Sequence, residues 1–269
     1  MFLYLIMYKK ILIVASKLDK AGINITTQLS KFGKYDFYLV DKEIIFTENL
    51  DLEKINQYDF IVFASKHVSK KKEKTLSVHA PGNWRQNKFG GEEGKACKTS
   101  AFFMKQFFEQ LHINVEEYNL KNYKITLEAT HHGPLIEKPC VFVEIGATEM
   151  EWKDRKAGFI LARALHKTIE NFHQEKYNEV AVGIGGPHYC PNFNKIQLNS
   201  NIAVSHVISG YAFPLTESMI KEAIEKTDEE VDLVLLDWKG LGKSEERKEI
   251  IEILDKLHID YRRTSEISK

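Results

Sequence analysis

Cysteine, proline and any surplus of charge are scarce in this chain, and each shortage excludes a class of protein. Only Cys97, Cys140 and Cys190 occur among 269 residues, with no close C-x-x-C pair. That argues against a disulfide scaffold or a thiolate zinc ribbon and fits a reducing, cytoplasmic setting. The six prolines form no linker, and no repeat or low-complexity stretch divides the chain, so one domain over residues 1–269 is expected. Lys plus Arg number 38 and Asp plus Glu also 38. A balanced chain is no polycation: any nucleic-acid surface must be a local patch, and sequence-reading DNA binding is disfavoured. Long apolar runs are missing too. Met1 to Tyr8 is greasy, but it is too short to cross a bilayer and no positive residue precedes it, so neither a membrane span nor a signal peptide is expected. Met7 then reads as a natural start, with residues 1–8 an N-terminal extension, and the chain as a monomer.

What is present is an alternation of strand and helix signals. Ile11 to Ala15 reads as a buried strand, and Asp19 as the cap of a helix through Leu29. Phe37 to Val40 and Glu43 to Phe46 read as short strands, and Asp59 to Ser65 as a stronger one, apolar throughout and so covered on both faces. Phe103, Phe107 and Leu111 stand four apart and predict a helix from Thr99, their stripe belonging to the core. Further strands are predicted over Tyr123 to Ala129, Cys140 to Ile145, Glu179 to Ile184, Ile202 to Ile208 and Val231 to Leu236. Helices are predicted over Glu149 to Phe172, Thr216 to Lys226 and Ser244 to Leu257, ahead of a tail strand near Ile259. This order specifies an α/β fold: a mixed, mostly parallel sheet flanked by helices.

Chemistry concentrates where predicted strands give way to loops. Glu128-Ala129-Thr130-His131-His132-Gly133-Pro134 follows one strand; His79, Glu144 and His188 stand at similar junctions beside Gly or Pro. Such junctions are where α/β proteins expose their working groups, so these loops are expected to meet in one cleft. If the backbone is extended, His131 and His132 point to opposite faces. Imidazole and carboxylate together suit zinc, whose bound water is nucleophilic near neutral pH. Equally, a histidine held by Glu128 or Glu144 could act as general base on water. Both routes lead to hydrolysis. Gly183, Gly185 and Gly186 follow a strand, but His188 stands where a dinucleotide fingerprint needs glycine, which excludes NAD. Their N–H groups could still hold an oxyanion. The basic run Lys66 to Lys74 reads as a solvated loop, or, with Trp84, Arg85 and Lys88 nearby, as a phosphate-holding rim with a stacking ring.

Several segments in order resemble the archaeal and plant type of D-aminoacyl-tRNA deacylase: Phe63-Ala64-Ser65-Lys66-His67, Val78-His79-Ala80-Pro81-Gly82-Asn83-Trp84, Phe89-Gly90-Gly91, Glu128 to Pro134, Glu144-Ile145-Gly146, Glu151-Trp152, Gly183 to Tyr189, and Asp237-Trp238-Lys239-Gly240. The resemblance runs from about Lys10 almost to the end; the leading residues exceed the usual start, and Pro187 replaces a glycine found in some relatives. It implies a zinc-dependent hydrolase that cleaves the ester joining a D-amino acid to tRNA, with a fold like peptidyl-tRNA hydrolases and nucleoside phosphorylases. On that basis His79, His132 and His188 are expected to hold zinc. His131, His132, His188 and Glu128 are expected to do the catalysis, with the backbone of Gly185 and Gly186 as the oxyanion donor. Lys66, His67, Lys70, Asn83, Trp84, Glu144 and Tyr189 are expected to bind substrate. The competing expectations are a non-catalytic tRNA or nucleotide-binding module, and a phosphorylase or peptidase on the same fold.

Overall fold

The computed structural model describes residues 8–48, 50–86, 88–173 and 176–267. The chain runs β1 (Ile11–Ser16), α1 (Lys20–Leu29), β2 (Asp36–Val40), α2 (Leu52–Ile55), β3 (Phe60–Val68) and β4 (Thr75–His79). Next come β5 (Gly82–Asn83), β6 (Lys95–Ala96), α3 (Ala101–Glu117), β7 (Lys124–Leu127) and β8 (Cys140–Ala147). The second half runs α4 (Glu149–Trp152), α5 (Arg155–Glu170), β9 (Glu179–Ile184), α6 (Pro191–Asn199) and β10 (Ile202–Ile208). It closes with α7 (Glu217–Glu225), β11 (Leu233–Leu236), α8 (Ser244–Lys256) and β12 (Tyr261–Arg263).

The expected mixed, mostly parallel β architecture is present, divided between two sheets. Six strands lie in the order β2-β1-β3-β8-β4-β7, and four in the order β10-β9-β11-β12. Among the described residues, the strand pairings are parallel except β4 against β8 and the small β5–β6 ribbon. The two sheets share one core: Val143 and Ile145 of β8, Phe103 and Phe107 of α3, and Ala181, Val204 and Leu233 of the second sheet belong to the same buried cluster. Tyr8 is tied into the body, its hydroxyl donating to Asp228 at 2.6 Å; the rest of the proposed extension, residues 1–7, lies outside the described residues, as does the alternative start at Met7.

Three local expectations need correction, and one helix is additional to those predicted. Glu43 to Phe46 is no strand: Ile44–Phe46 forms a 3-10 turn, closed by the Thr47 N–H donating to the Ile44 carbonyl at 3.0 Å. The long helix from Glu149 breaks after Trp152, because Asp154 caps a new helix by accepting the N–H groups of Lys156 and Ala157. Lys66 to Lys74 is not one loop, since Lys66, His67 and Val68 finish β3. Helix α6 has no counterpart among the predicted elements; Pro191 stands at its first helical position, where the fixed φ suits a start.

Candidate active site

Period-two geometry assembles the first half of the site. Ser65 pairs with Glu144 and His67 with Gly146 across β3–β8, while Ser77 pairs with Glu144 and His79 with Phe142 across β4–β8. Residues two apart share a face, so His67, Glu144 and His79 project on one side of the sheet. Gly146 leaves room for the imidazole, because a Cβ there would crowd His67 and Thr75. Glu128 extends the β4–β7 ladder, its N–H donating to Val78 O at 3.2 Å.

The second half comes from the segment after Glu128, which is laced to both sheets. Ala129 N donates to His188 O at 2.8 Å and Thr130 N to Val207 O at 3.0 Å, while Gly82 N donates to His132 O at 2.7 Å. His132 adopts φ 46°, a left-handed conformation. The chain is therefore not extended, and the expectation that His131 and His132 face opposite ways fails: their ring centroids are 4.3 Å apart, and those of His79 and His132 are 4.9 Å apart. His188 joins from the β9–α6 loop, its ring 4.6 Å from that of His131.

Two functional groupings emerge. In the first, His79, His131 and His132 each place one nitrogen within 4.8 Å of the others. Each also donates Nδ1–H to a backbone carbonyl: His79 to Ala80 at 3.1 Å, His131 to Ala129 at 2.8 Å and His132 to Gly133 at 2.6 Å. A carbonyl can only accept, so the proton must sit on Nδ1 and Nε2 is the nitrogen left to bind. In the second, buried Glu128 accepts from His188 Nε2 at 2.9 Å and lies 3.1 Å from His67 Nδ1, a contact too bent for a hydrogen bond. His67 Nε2 meets the Tyr189 hydroxyl at 2.8 Å, and His188 Nδ1 faces Tyr211 at 3.4 Å. Glu144 links the groups, its Oε2 standing 3.6 Å from both His67 Nδ1 and His79 Nε2.

Charges follow from this packing. Burial disfavours the His67 imidazolium, but Glu128 and Glu144 outweigh it and push the ring up to about 12. The same contest raises His79, with Glu144 the main counter-charge. For His131 and His132, burial and then the positive charge of His79 act together; both fall, His132 to about 4. Burial pushes Glu128 and Glu144 upward, yet their histidine partners hold both below the usual carboxylate range. Among the described histidines and carboxylates of the cluster, three atoms are buried without a hydrogen-bond partner: His79 Nε2, Glu128 Oε1 and Glu144 Oε2. Orphaned acceptors beside three oriented imidazoles make a nitrogen and oxygen donor set of the kind zinc takes.

A cavity of about 610 Å³ opens onto this cluster, lined by His67, His131, His132, Glu144 and His188, with Lys66, Lys70 and Lys88 also on its walls. Lys66 is paired with Glu43 at 3.0 Å, and Lys70 is exposed. Four expectations fail. Trp84 is only 4 % exposed and donates Nε1–H to Val207 O at 3.2 Å, so it staples a loop to β10 and cannot stack on a base. Gly185 has its N–H spent on Ile208 O at 2.8 Å, and Gly185 and Gly186 pack against Asp237 and Gly240, which removes the Gly185 N–H as an oxyanion donor. Asn83 is likewise buried and donates to Gly90 O at 2.6 Å, holding a turn. The expected zinc trio is split: His79 and His132 group with His131, while His188 turns to Glu128. Sequence reasoning passed over Tyr211, whose hydroxyl only the fold brings to His188.

The fold and cavity define a class, an α/β protein with a histidine and carboxylate centre at a seam between two sheets. Comparison with known proteins makes it specific. A family model of D-aminoacyl-tRNA deacylases matches residues 54–262. The D-aminoacyl-tRNA deacylase of Pyrococcus abyssi is 34% identical over 272 aligned positions, covering 93% of this chain and 98% of that protein. The one from Methanocaldococcus jannaschii is 31% identical, covering 94% and 99%. Among solved structures, the conserved protein of unknown function AF0625 superposes with a TM-score of 0.87 at 29% identity, covering 96% of each chain. This chain belongs to the D-aminoacyl-tRNA deacylase family.

Proposed function

We propose that this protein hydrolyses the ester between a D-amino acid and the 3′ end of tRNA, releasing both, and that His79, His131 and His132 hold a zinc ion while His188 and Glu128 move the proton. The observation that carries the reading is the shared orientation of three imidazoles, each with Nδ1–H tied to a carbonyl, beside a separate histidine and carboxylate pair. Bound zinc would supply a Lewis acid and a water acidic enough to ionise near neutral pH. Glu144 Oε2 lies 3.6 Å from His79 Nε2, a carboxylate beside the nitrogen that would hold the ion.

The chain's own groups do the rest. Because His188 donates Nε2–H to Glu128, its Nδ1 is the basic nitrogen, and it can take a proton from attacking water and pass it to the leaving ribose oxygen. Tyr189 fixes His67, whose positive charge sits between Glu128 and Glu144 and keeps both carboxylates ionised. Glu144, reached from the cavity, is the carboxylate that can receive the substrate's α-ammonium. Lys66 and Lys70 offer charge for phosphates at the rim. The ester is already activated by its ammonium, so orientation supplies most of what remains. Chirality is then a matter of exclusion: the L side chain must clash where the D side chain does not.

The test is deacylation of D-tyrosyl-tRNA and L-tyrosyl-tRNA by the pure protein, before and after chelation, with zinc content measured in parallel. Release from the D ester alone, lost on chelation and restored by zinc, is expected. Equal rates on both esters, or activity indifferent to chelation, would sink the reading.

A further inference from the structure

One wall of the cavity takes no part in the chemistry above. It is made by Leu18, Ile44, Ile45, Phe46, Val68 and Phe89. Phe46 is 43 % exposed and Phe89 63 %, although burial of a phenylalanine ring is strongly favourable. Neither ring is exposed through looseness of the backbone. Gly90 and Gly91 have φ of 75° and 76°, and a Cβ at Gly90 would collide with the Ile45 carbonyl. Gly133 N donates to Phe89 O at 2.9 Å, Asn83 to Gly90 O at 2.6 Å, and Gly91 N to the Glu48 carboxylate. The Phe89–Gly91 turn is therefore wedged between the Ile44–Phe46 turn and the loop carrying His132. Its backbone is fixed and its ring is presented to the cavity mouth.

We propose that Phe46 and Phe89 seat the terminal adenosine of the aminoacyl-tRNA, stacking on its base while Lys66, Lys70 and Lys88 hold the adjoining phosphates. The proposal rests on the deacylase reading and adds the polarity of the bound substrate. Lys66 is paired with Glu43 and Asp19 also lines the cavity, but Lys70 and Lys88 leave the rim beside the aromatic wall positive. That charge repels an α-ammonium and attracts a phosphodiester, so the nucleoside end belongs here and the aminoacyl end at Glu144. Base stacking on an aromatic ring tolerates any base plane, and terminal adenosine is common to every tRNA, so one seat serves all substrates.

The experiment measures binding of a non-hydrolysable analogue, 3′-deoxy-3′-(D-tyrosylamino)adenosine 5′-phosphate, by calorimetry, alongside KM for D-tyrosyl-tRNA and D-alanyl-tRNA. Phe89→Ala and Phe46→Ala should each weaken the analogue by roughly 5- to 100-fold, raise KM equally for both esters, and leave the melting temperature near wild type. Phe89→Trp should restore affinity, which a purely structural role would not allow. A penalty confined to the tyrosyl ester would show that the wall holds the amino-acid side chain, and unchanged affinity would show that it holds nothing; either overturns the proposal. Tight, Phe89-dependent binding by a wild-type protein that hydrolyses neither ester would uphold the seat and defeat the deacylase reading alone.

Discussion

His132→Asn isolates the metal claim from the claim about activity. Position 132 sits at φ 46°, where alanine would be strained, whereas asparagine visits the left-handed region readily and is too short to reach the place of Nε2. The apo fold should lose the Nδ1–H bond to Gly133 and the edge contacts of the ring with Phe142, His79 and His131, whose centroids lie 4.7, 4.9 and 4.3 Å away. Such contacts are worth about 0.5–1.5 kcal/mol, which is a few degrees of melting temperature in a chain of this size. The informative quantity is the zinc-induced shift. At zinc one hundred times the wild-type Kd, binding stabilises by about 2.7 kcal/mol, or roughly 5–10 °C. Losing one of three donors should weaken zinc at least as much as losing a supporting partner, about 100-fold. The same zinc concentration then equals the variant's Kd, and the gain falls to about 0.4 kcal/mol, about 1 °C.

The assay is thermal melting of chelated protein with zinc added back under buffered free-metal conditions, checked by elemental analysis. A shift in His132→Asn equal to wild type would remove His132 from the metal set. No shift in wild type would refute the tautomer argument for all three imidazoles, however active the enzyme.

Glu128→Gln should lower kcat by about 10²- to 10⁴-fold, the usual contribution of a general acid–base pair, with KM little changed; because burial then meets only Glu144, the His67 ring should also titrate well below its wild-type value in an NMR pH series on metal-free protein. A distant test of the same electrostatics lies at Lys105, fully buried, where desolvation lowers the ammonium to about 8. The unfolded chain keeps that proton up to its ordinary value near 10.4, so between these limits it binds more protons than the folded chain and stability rises with pH, by about 3 kcal/mol in all. Lys105→Met should flatten that rise; a denaturation series from pH 7 to 10.5 that superposes on wild type would refute it.

Much of the centre could be read before the fold was known, because its residues sit where strands end. Glu128 and His131 follow a strand signal, and His79 and His188 stand beside Pro or Gly, cues that survive without three-dimensional information. Local cues could not reveal groupings made across the sheets. Nothing in the string His131-His132 announces the left-handed turn that brings both rings together. Trp84 looked like a stacking surface because its neighbours are basic, whereas its indole N–H is claimed by a strand more than a hundred residues away. Gly185 misled for a related reason: glycine signals close backbone approach, but here the approaching backbone is the protein's own. The exposed rings of Phe46 and Phe89 were hidden by the ordinary expectation that phenylalanine is core.

The antiparallel entry of β4 explains why two sheets are needed for one centre. Running against β8, β4 delivers His79 at the level of Phe142, next to Glu144, instead of at the far end where a parallel neighbour would carry it. Its partner β7 then ends at the same level and passes Glu128 to His132 out of the six-stranded sheet, where Ala129 bonds to His188 in the loop after β9 and Thr130 to Val207 of β10. His79 therefore comes from the first sheet, His131 and His132 from the segment that leaves it, and the proton-moving His188 from the loop after β9 of the second. Glu128 spans the join, hydrogen-bonded to His188 through one oxygen and 3.1 Å from the His67 imidazole through the other. Loosening the seam between the sheets should separate proton transfer from metal binding, and substitution of Thr130, whose hydroxyl and N–H both bond to Val207, is the direct way to do so. Thr130→Val should keep zinc-induced stabilisation while lowering kcat; loss of both together would mean that the trio itself depends on the second sheet.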